Sequence, residues 1–173
     1  MRILAILPLL AIAGCGEGEE KAKAPARAQA IQAGQWETSS RVTSVRKMDE
    51  GEPRIDTPVG TEASGGSCVA AGEVSRPPIA LFVGPDYDCE YGNFYMRNGR
   101  INASLQCTRD GLDGRISGTV DGTYGEGEFD TEVEIATALN SDGDVTIRSQ
   151  VTGRRTGECQ AEPAEGGNQA STK

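Results

Sequence analysis

The side chains able to do chemistry in this chain are five cysteines, a row of carboxylates and a few tyrosines; its 173 residues include no histidine. Without an imidazole there is no Ser-His-Asp arrangement and no His-ligated metal site. The cysteines stand at 15, 68, 89, 107 and 159, with no C-x-x-C pair, so neither a four-cysteine zinc site nor a redox dithiol is expected. Glu126, Glu128, Asp130, Glu132 and Glu134 recur at every second residue. On a strand, such neighbours lie roughly 6.5–7 Å apart, too splayed to hold one ion without a loop. A calcium site, a cationic partner or a glycosidase-type carboxylate pair would each use this row, but an open strand face supplies no burial to raise one pKa. The expected reading is a solvated face. Asp142-Gly143-Asp144 lacks the distal Glu of a calcium loop and reads as a hairpin turn. Tyr87, Tyr91 and Tyr95 would suit a ligand surface, but Tyr91 and Tyr95 fall on the Cys89 side of their strand and are expected in the core. No catalytic residue, metal site or cofactor is assigned, and an enzyme is not expected.

The elements that must position these residues show a period of two. Ile101, Ala103, Leu105 and Cys107 alternate with polar residues. Ile116, Val120 and Tyr124 share a face, as do Phe129, Val133 and Ile135, and then Val145, Ile147 and Val151. One-sided alternation marks antiparallel strands with one wet face. A first strand is expected over Trp36–Arg46, a loop over 47–66, a short helical turn over Cys68–Val74, and a buried strand or tucked loop over Ile79–Val83. The fold class is all-β: an antiparallel meander forming a curved sheet or small barrel, with at most one short helix.

Turn chemistry suggests registers. A three-residue loop Arg97-Asn98-Gly99 pairs Met96 with Arg100 and sets Cys89 opposite Cys107 at a non-hydrogen-bonded position, where α-carbons approach to about 4.5 Å. Cys68 is then left for Cys159. A two-residue loop at Gly125-Glu126 sets Ile116 against Ile135; a three-residue loop Ser141-Asp142-Gly143 sets Asp130 against Arg154 and Val133 against Val151. Asp110-Gly111 turns the second strand of this meander into the third.

The N-terminus carries an export pattern. Arg2 precedes an apolar run, Ile3–Ala13, shorter than the ~20 residues of a spanning helix. The run ends in Ile12-Ala13-Gly14-Cys15, which resembles the lipobox of bacterial lipoproteins. That resemblance implies cleavage between Gly14 and Cys15 and acylation of Cys15, a membrane anchor worth about 0.8 kcal/mol per buried methylene. Gly16 in place of Asp favours, by analogy with sorting in enteric bacteria, the outer membrane facing the periplasm. The expected division is a signal peptide (1–14), lipidated Cys15 with a flexible tether (15–33), a β domain with two disulfides (34–159) and a disordered tail (160–173). The formal charge is −9, from 17 basic and 26 acidic side chains; losing Arg2 leaves 16 and 26, or −10. Such a surface repels nucleic acid and anionic headgroups. Membrane attachment is therefore expected through lipid, without a nucleic-acid partner, and the protein is expected to be a monomer.

Several short elements are shared with a known family. Gly34-Gln35-Trp36-Glu37, Cys68-Val69, Cys89-x-Tyr91 running into Met96, Gly99-Arg100-Ile101, Cys107, Gly122-Thr123-Tyr124 and Gly153-Arg154-Arg155-x-Gly157-x-Cys159 together resemble the domain-of-unknown-function family numbered 3617, small exported proteobacterial proteins. Ala33 stands where that family more often has proline. The resemblance implies export, paired cysteines and strands, and supplies no reaction. The expected function is a non-catalytic binding or structural module of the envelope. The alternatives are a carrier of a hydrophobic ligand in the concave sheet, needing a cavity of at least ~300 Å³, and a carboxylate-based enzyme.

Overall fold

The computed structural model describes residues 27–159. The signal peptide, Cys15, the tether up to residue 26 and the tail after 159 lie outside the described residues. Seven strands among those described are β1 (Gly34–Lys47), β2 (Glu62–Val69), β3 (Asp88–Arg97), β4 (Arg100–Arg109), β5 (Leu112–Tyr124), β6 (Glu128–Leu139) and β7 (Val145–Gly157). One four-residue helix, α1 (Ala80–Val83), lies between β2 and β3. The sheet order is β2-β1-β7-β6-β5-β4-β3, and every neighbouring pair is antiparallel. The fold is all-β, as the alternation requires. The sheet is curved, and no ladder joins β2 to β3 among the described residues, so it stays open rather than closing into a barrel.

Inward rows from β1, β4, β5, β6 and β7 fill the concave side. Trp36, Leu105, Val120 and Val145 are fully buried there. Two apolar clusters result. The larger gathers Trp36, Val69, Leu81, Phe82, Ile101 and Phe129 among others. The smaller holds Val42, Ile55, Val145 and Ile147. Phe129 is the hinge of the larger one, 5.9 Å from Trp36 and 5.2 Å from Phe82 between ring centroids. Its ring lies across Gly153 of β7, where a Cβ would overlap it, so the glycine is required by that close approach.

The two ends of the sheet are closed differently. At the first end stand the turns at 98–99 and 125–127 and the starts of β1 and of the chain's described part. Residues 28–33, expected in the tether, belong to the domain here. Ile31 is buried, its N–H donates to Val74 O at 3.2 Å, Gln32 N–H donates to Glu126 O at 2.7 Å, and Gly99 N–H donates to Ala28 O at 2.8 Å. One isoleucine in a polar segment is enough to seat it once backbone partners are in reach. Trp36 Nε1 donates to Gln32 O at 3.0 Å and secures the same segment. At the second end the loop between β1 and β2 folds over the β6–β7 turn, with Met48 N–H on Asp144 O and Arg54 N–H on Gly143 O.

Several expected elements shift. Residues 62–69 form edge strand β2 rather than loop, and the tight turns follow at 70–76, not 68–74. The run 79–83 is neither strand nor loop but the helix that carries Leu81 and Phe82 into the core. Asn98 and Gly99, with φ of 53° and 72°, make a two-residue loop that pairs Arg97 with Arg100. The extra residue reappears as a bulge at Gly92-Asn93, where Asn93 N–H donates to Ser104 Oγ at 2.8 Å. The two departures cancel, and Cys89 faces Cys107 as expected. The β5–β6 register sets Ile116 against Thr137 and Val120 against Val133; the β6–β7 register sets Val133 against Ser149 and Glu128 against Arg154. Both differ from expectation by two residues: the β5–β6 turn moves one residue on, to Glu126-Gly127, with Gly125 N–H donating to Glu128 O at 2.8 Å, and the β6–β7 connection is longer than three residues. A shift of two leaves every side chain on its face.

Candidate functional site

The cysteines fall into two pairs at disulfide distance, one at each end and one on each edge. Cys68–Cys159 ties edge strand β2 across β1 to the residues after β7, with α-carbons 5.4 Å apart and a sequence separation of 91. Cys89–Cys107 ties edge strand β3 to β4, with α-carbons 4.0 Å apart and a sequence separation of 18. An open sheet exposes two edges, and covalent ties limit their fraying.

The acidic row lies on the outer, solvent-facing side of β6. Glu126 has left it: the residue sits in the turn, and its carboxylate accepts from Gln32 Nε2 at 3.1 Å. Glu134 accepts from Arg148 Nε at 2.6 Å, and that bond raises the Arg148 pKa. Asp130 accepts from Gln150, and Glu128 is paired across the ladder with Arg154. On the other side Asp121 stands directly beside Glu132, and Asn102 Nδ2 donates to Asp121 at 3.0 Å. A trough of about 1060 Å³ crosses this face between Glu37, Thr123, Asp130 and Arg154, broad and open to solvent. Glu126, Asp130 and Glu134 are thus met by neighbouring donors, while Glu132 stands beside a second carboxylate. Among the described residues no group of three His, Cys, Asp or Glu side chains is placed to hold a metal ion.

The tyrosines separate. Tyr91 is half-buried, donates to Pro77 O at 2.9 Å and lies 4.7 Å from Phe94; its burial pushes the phenol pKa up. Arg76 lies over both rings, 5.0 Å from Tyr91 and 5.3 Å from Phe94, and pins the 70–78 segment to β3. Tyr95 is 51% exposed, contrary to expectation, because the bulge at 92–93 turns it off the Cys89 face. Tyr124 Oη is buried without a hydrogen-bond partner among the described residues, and burial raises its pKa.

Tyr87 stands at the concave side, beside a pocket of about 180 Å³ between the two apolar clusters. The floor comes from Val133, Ile135, Ile147 and Val151, and Phe82 closes it from the α1 side. Ser40 of β1 and Ser149 of β7 also line it, on the same inward rows as Val42 and Val151. Arg109 continues the inward row of β4 past Cys107 and lies 5.1 Å over the Tyr87 ring, donating to its hydroxyl at 3.3 Å. Asp86 approaches the same guanidinium at 4.0 Å but is 73% exposed, so the pair contributes little. Of these residues only Tyr87 was singled out by sequence reasoning. Ser149 among Val145, Ile147 and Val151 was the legible signal: a hydroxyl in an otherwise apolar row. Arg109 was recognisable only as a charge extending such a row.

Asp142-Gly143-Asp144 is a turn, as expected, and it is fastened by carboxylates. Asp49 accepts from Gly143 N–H at 2.9 Å, from Asp144 N–H at 2.9 Å and from Gly51 N–H at 3.0 Å. These bonds, Asp144's foremost, hold the Asp49 pKa below the usual carboxylate range against an opposing effect of desolvation. Asp144 in turn accepts from Leu139 N–H and Thr137 Oγ1, both at 2.9 Å. These bonds widen the β6–β7 connection beyond three residues.

A family model described as "Protein of unknown function (DUF3617)" matches residues 31–159. The match begins at Ile31, the first buried residue among those described, and ends at the last paired cysteine, Cys159. No curated protein and no solved structure matches.

Proposed function

The chain belongs to the DUF3617 family, and we propose that it is an exported, lipid-anchored envelope protein whose β domain is a non-catalytic binding or structural module. The observation that carries this reading is the sorting of the cysteines. Four pair within the domain, while Cys15 stands alone behind an apolar run and small residues. Reducing compartments keep thiols free, so a sheet with both edges tied by sulfur suits an oxidising one. In that setting the lone Cys15 is the acylation site and the outer membrane, facing the periplasm, is its destination.

A binding rather than catalytic role is supported by the missing histidine and by carboxylates that spread over an open face instead of converging. The carrier reading in its large form is not favoured: the concave pocket of 180 Å³ falls short of the ~300 Å³ a drug- or lipid-sized ligand needs. Mass spectrometry of the protein extracted from its native membranes tests the proposal. The expected N-terminal peptide begins at Cys15 with acyl groups attached, and the other four cysteines resist alkylation until reduced. Cys15→Ala should leave the chain unacylated and released from membranes on washing. An unmodified Cys15, or freely alkylated domain thiols in native material, would overturn it.

A further inference from the structure

We propose that the concave pocket between the two apolar clusters binds a small aliphatic monocarboxylate, with the acid on Arg109 and about six carbons over the β6–β7 floor. This deepens the binding-module reading and rests on it.

Two observations distinguish the pocket from a packing gap. First, the inward rows of β1 and β7 turn from apolar side chains to hydroxyls at the pocket. β7 presents Val145 and Ile147 under the Ile55 loop, then Ser149 at the pocket, then Val151 toward the α1 side; β1 presents Val42, then Ser40. Unlike the fully buried Thr131 of β6, whose hydroxyl donates to Val151 O, Ser40 and Ser149 face the open volume of the pocket. Second, Arg109 extends an apolar row over the concave side and is held there by the Tyr87 ring and hydroxyl. A guanidinium has five N–H donors. One is directed to Tyr87, and the exposed Asp86 at 4.0 Å engages the group weakly, leaving donors for a carboxylate.

Size fixes the rest. A dry cavity of about 150 Å³ accepts benzene, so 180 Å³ accepts a six-carbon chain and excludes a diacyl lipid. The serine hydroxyls on the floor tolerate a wet, partly polar guest, which argues against a long acyl chain and for a short one.

The test is an amide-resolved NMR titration of the purified chain with hexanoate, set beside hexanol and hexylammonium. Hexanoate should give saturable shifts at Val42, Val133, Ser149 and Val151, and should bind more tightly than either control. Arg109→Gln should weaken hexanoate about tenfold, the loss of one charge-assisted bond, without changing hexanol. Ser149→Leu should fill the floor and abolish both. The proposal fails if hexanoate gives no saturable shift up to about 10 mM, if hexylammonium binds more tightly than hexanoate so that Asp86 reads the ligand, or if Ser149→Leu folds and binds unchanged. Acylation of Cys15 is a separate readout, so loss of the ligand leaves the envelope reading standing and a soluble, unacylated chain leaves this site standing.

Discussion

One end of the sheet is covered by apolar side chains and the other by a carboxylate. At the first end, Ile31, Leu81 and Phe82 enter the cluster around Trp36 and Phe129, and the disulfide there bridges 91 residues. At the second end Ile55 of the 48–61 loop packs on Val42, Val145 and Ile147 with partly buried Tyr87 and Leu112 beside them, Asp49 grips the β6–β7 turn, and the disulfide joins positions 18 apart. Both ends belong to the same long strands, so the difference is not one of strand pairing. It lies in what would have to be lost for each cover to lift. The first requires exposing buried rings and is tied to global unfolding; the second requires breaking a few bonds to one side chain and can open locally.

The largest test of that contrast is removal of each disulfide. On the chain-entropy model the 91-residue loop contributes about 4.6 kcal/mol and the 18-residue loop about 3 kcal/mol. Cys68→Ser with Cys159→Ser should therefore lower the urea midpoint more than Cys89→Ser with Cys107→Ser. The second pair should chiefly loosen β3 and the turn at 110–111. Equal midpoints, or the reverse order, would mean that ladder pairing at the β3 edge, not loop closure, sets the contribution.

Truncating the two covers sharpens the same comparison. Phe82→Ala removes a buried ring packed on Phe129 and should destabilise by about 3–4 kcal/mol, read as a lower midpoint for the whole domain. Ile55→Ala removes a comparably buried side chain, but on a loop able to collapse into the space, and about 2 kcal/mol is expected. Its main readout should be faster amide exchange across 48–56 and 140–145. If Ile55→Ala instead lowers protection evenly through the sheet, the two ends form one cooperative unit.

How much of this was legible depends on whether a side chain's row decides its place. Wherever apolar residues alternate, as from Ile101 to Cys107 and Phe129 to Ile135, the strand and its inward face follow, and a two-residue register error leaves the face unchanged. The cysteine pairing was reached through an Arg97-Asn98-Gly99 loop that does not form; a bulge at 92–93 restored it, and beyond the bulge Phe94 and Met96 take the core side while Tyr95 turns outward. β2 escaped notice because EASGGSCV has no apolar alternation: Val69 alone is buried, and backbone pairing with β1 plus Cys68 hold the strand. The segment 28–33 escaped for a similar reason, with one isoleucine among polar residues. The pocket is assembled from β1, β2, β4, β6, β7, α1, the segment joining α1 to β3 and the 48–61 loop, and no local pattern announces such a meeting; its serines were visible as exceptions, without a reason to connect them.

The smallest effect is the most selective. Asp49's carboxyl is held below its ordinary value of about 3.9 by N–H groups of Asp144, Gly143 and Gly51 and by the charge of Lys47. A depressed carboxyl pKa contributes stability that is complete above the unfolded value and is lost as pH falls through the lower folded one. Acid should therefore unfasten the second end first. As the pH falls below about 4, the ordinary carboxyl value, the Gly143 and Asp144 amides should lose exchange protection while Gly99, whose N–H donates to Ala28 O at the first end, keeps its own. Asp49→Asn retains one acceptor oxygen and removes the charge, so it should show this loosening already at neutral pH and little further change in acid. Loss of protection at both ends at the same pH would show that general acid unfolding, and not the grip of one carboxylate, governs the second end.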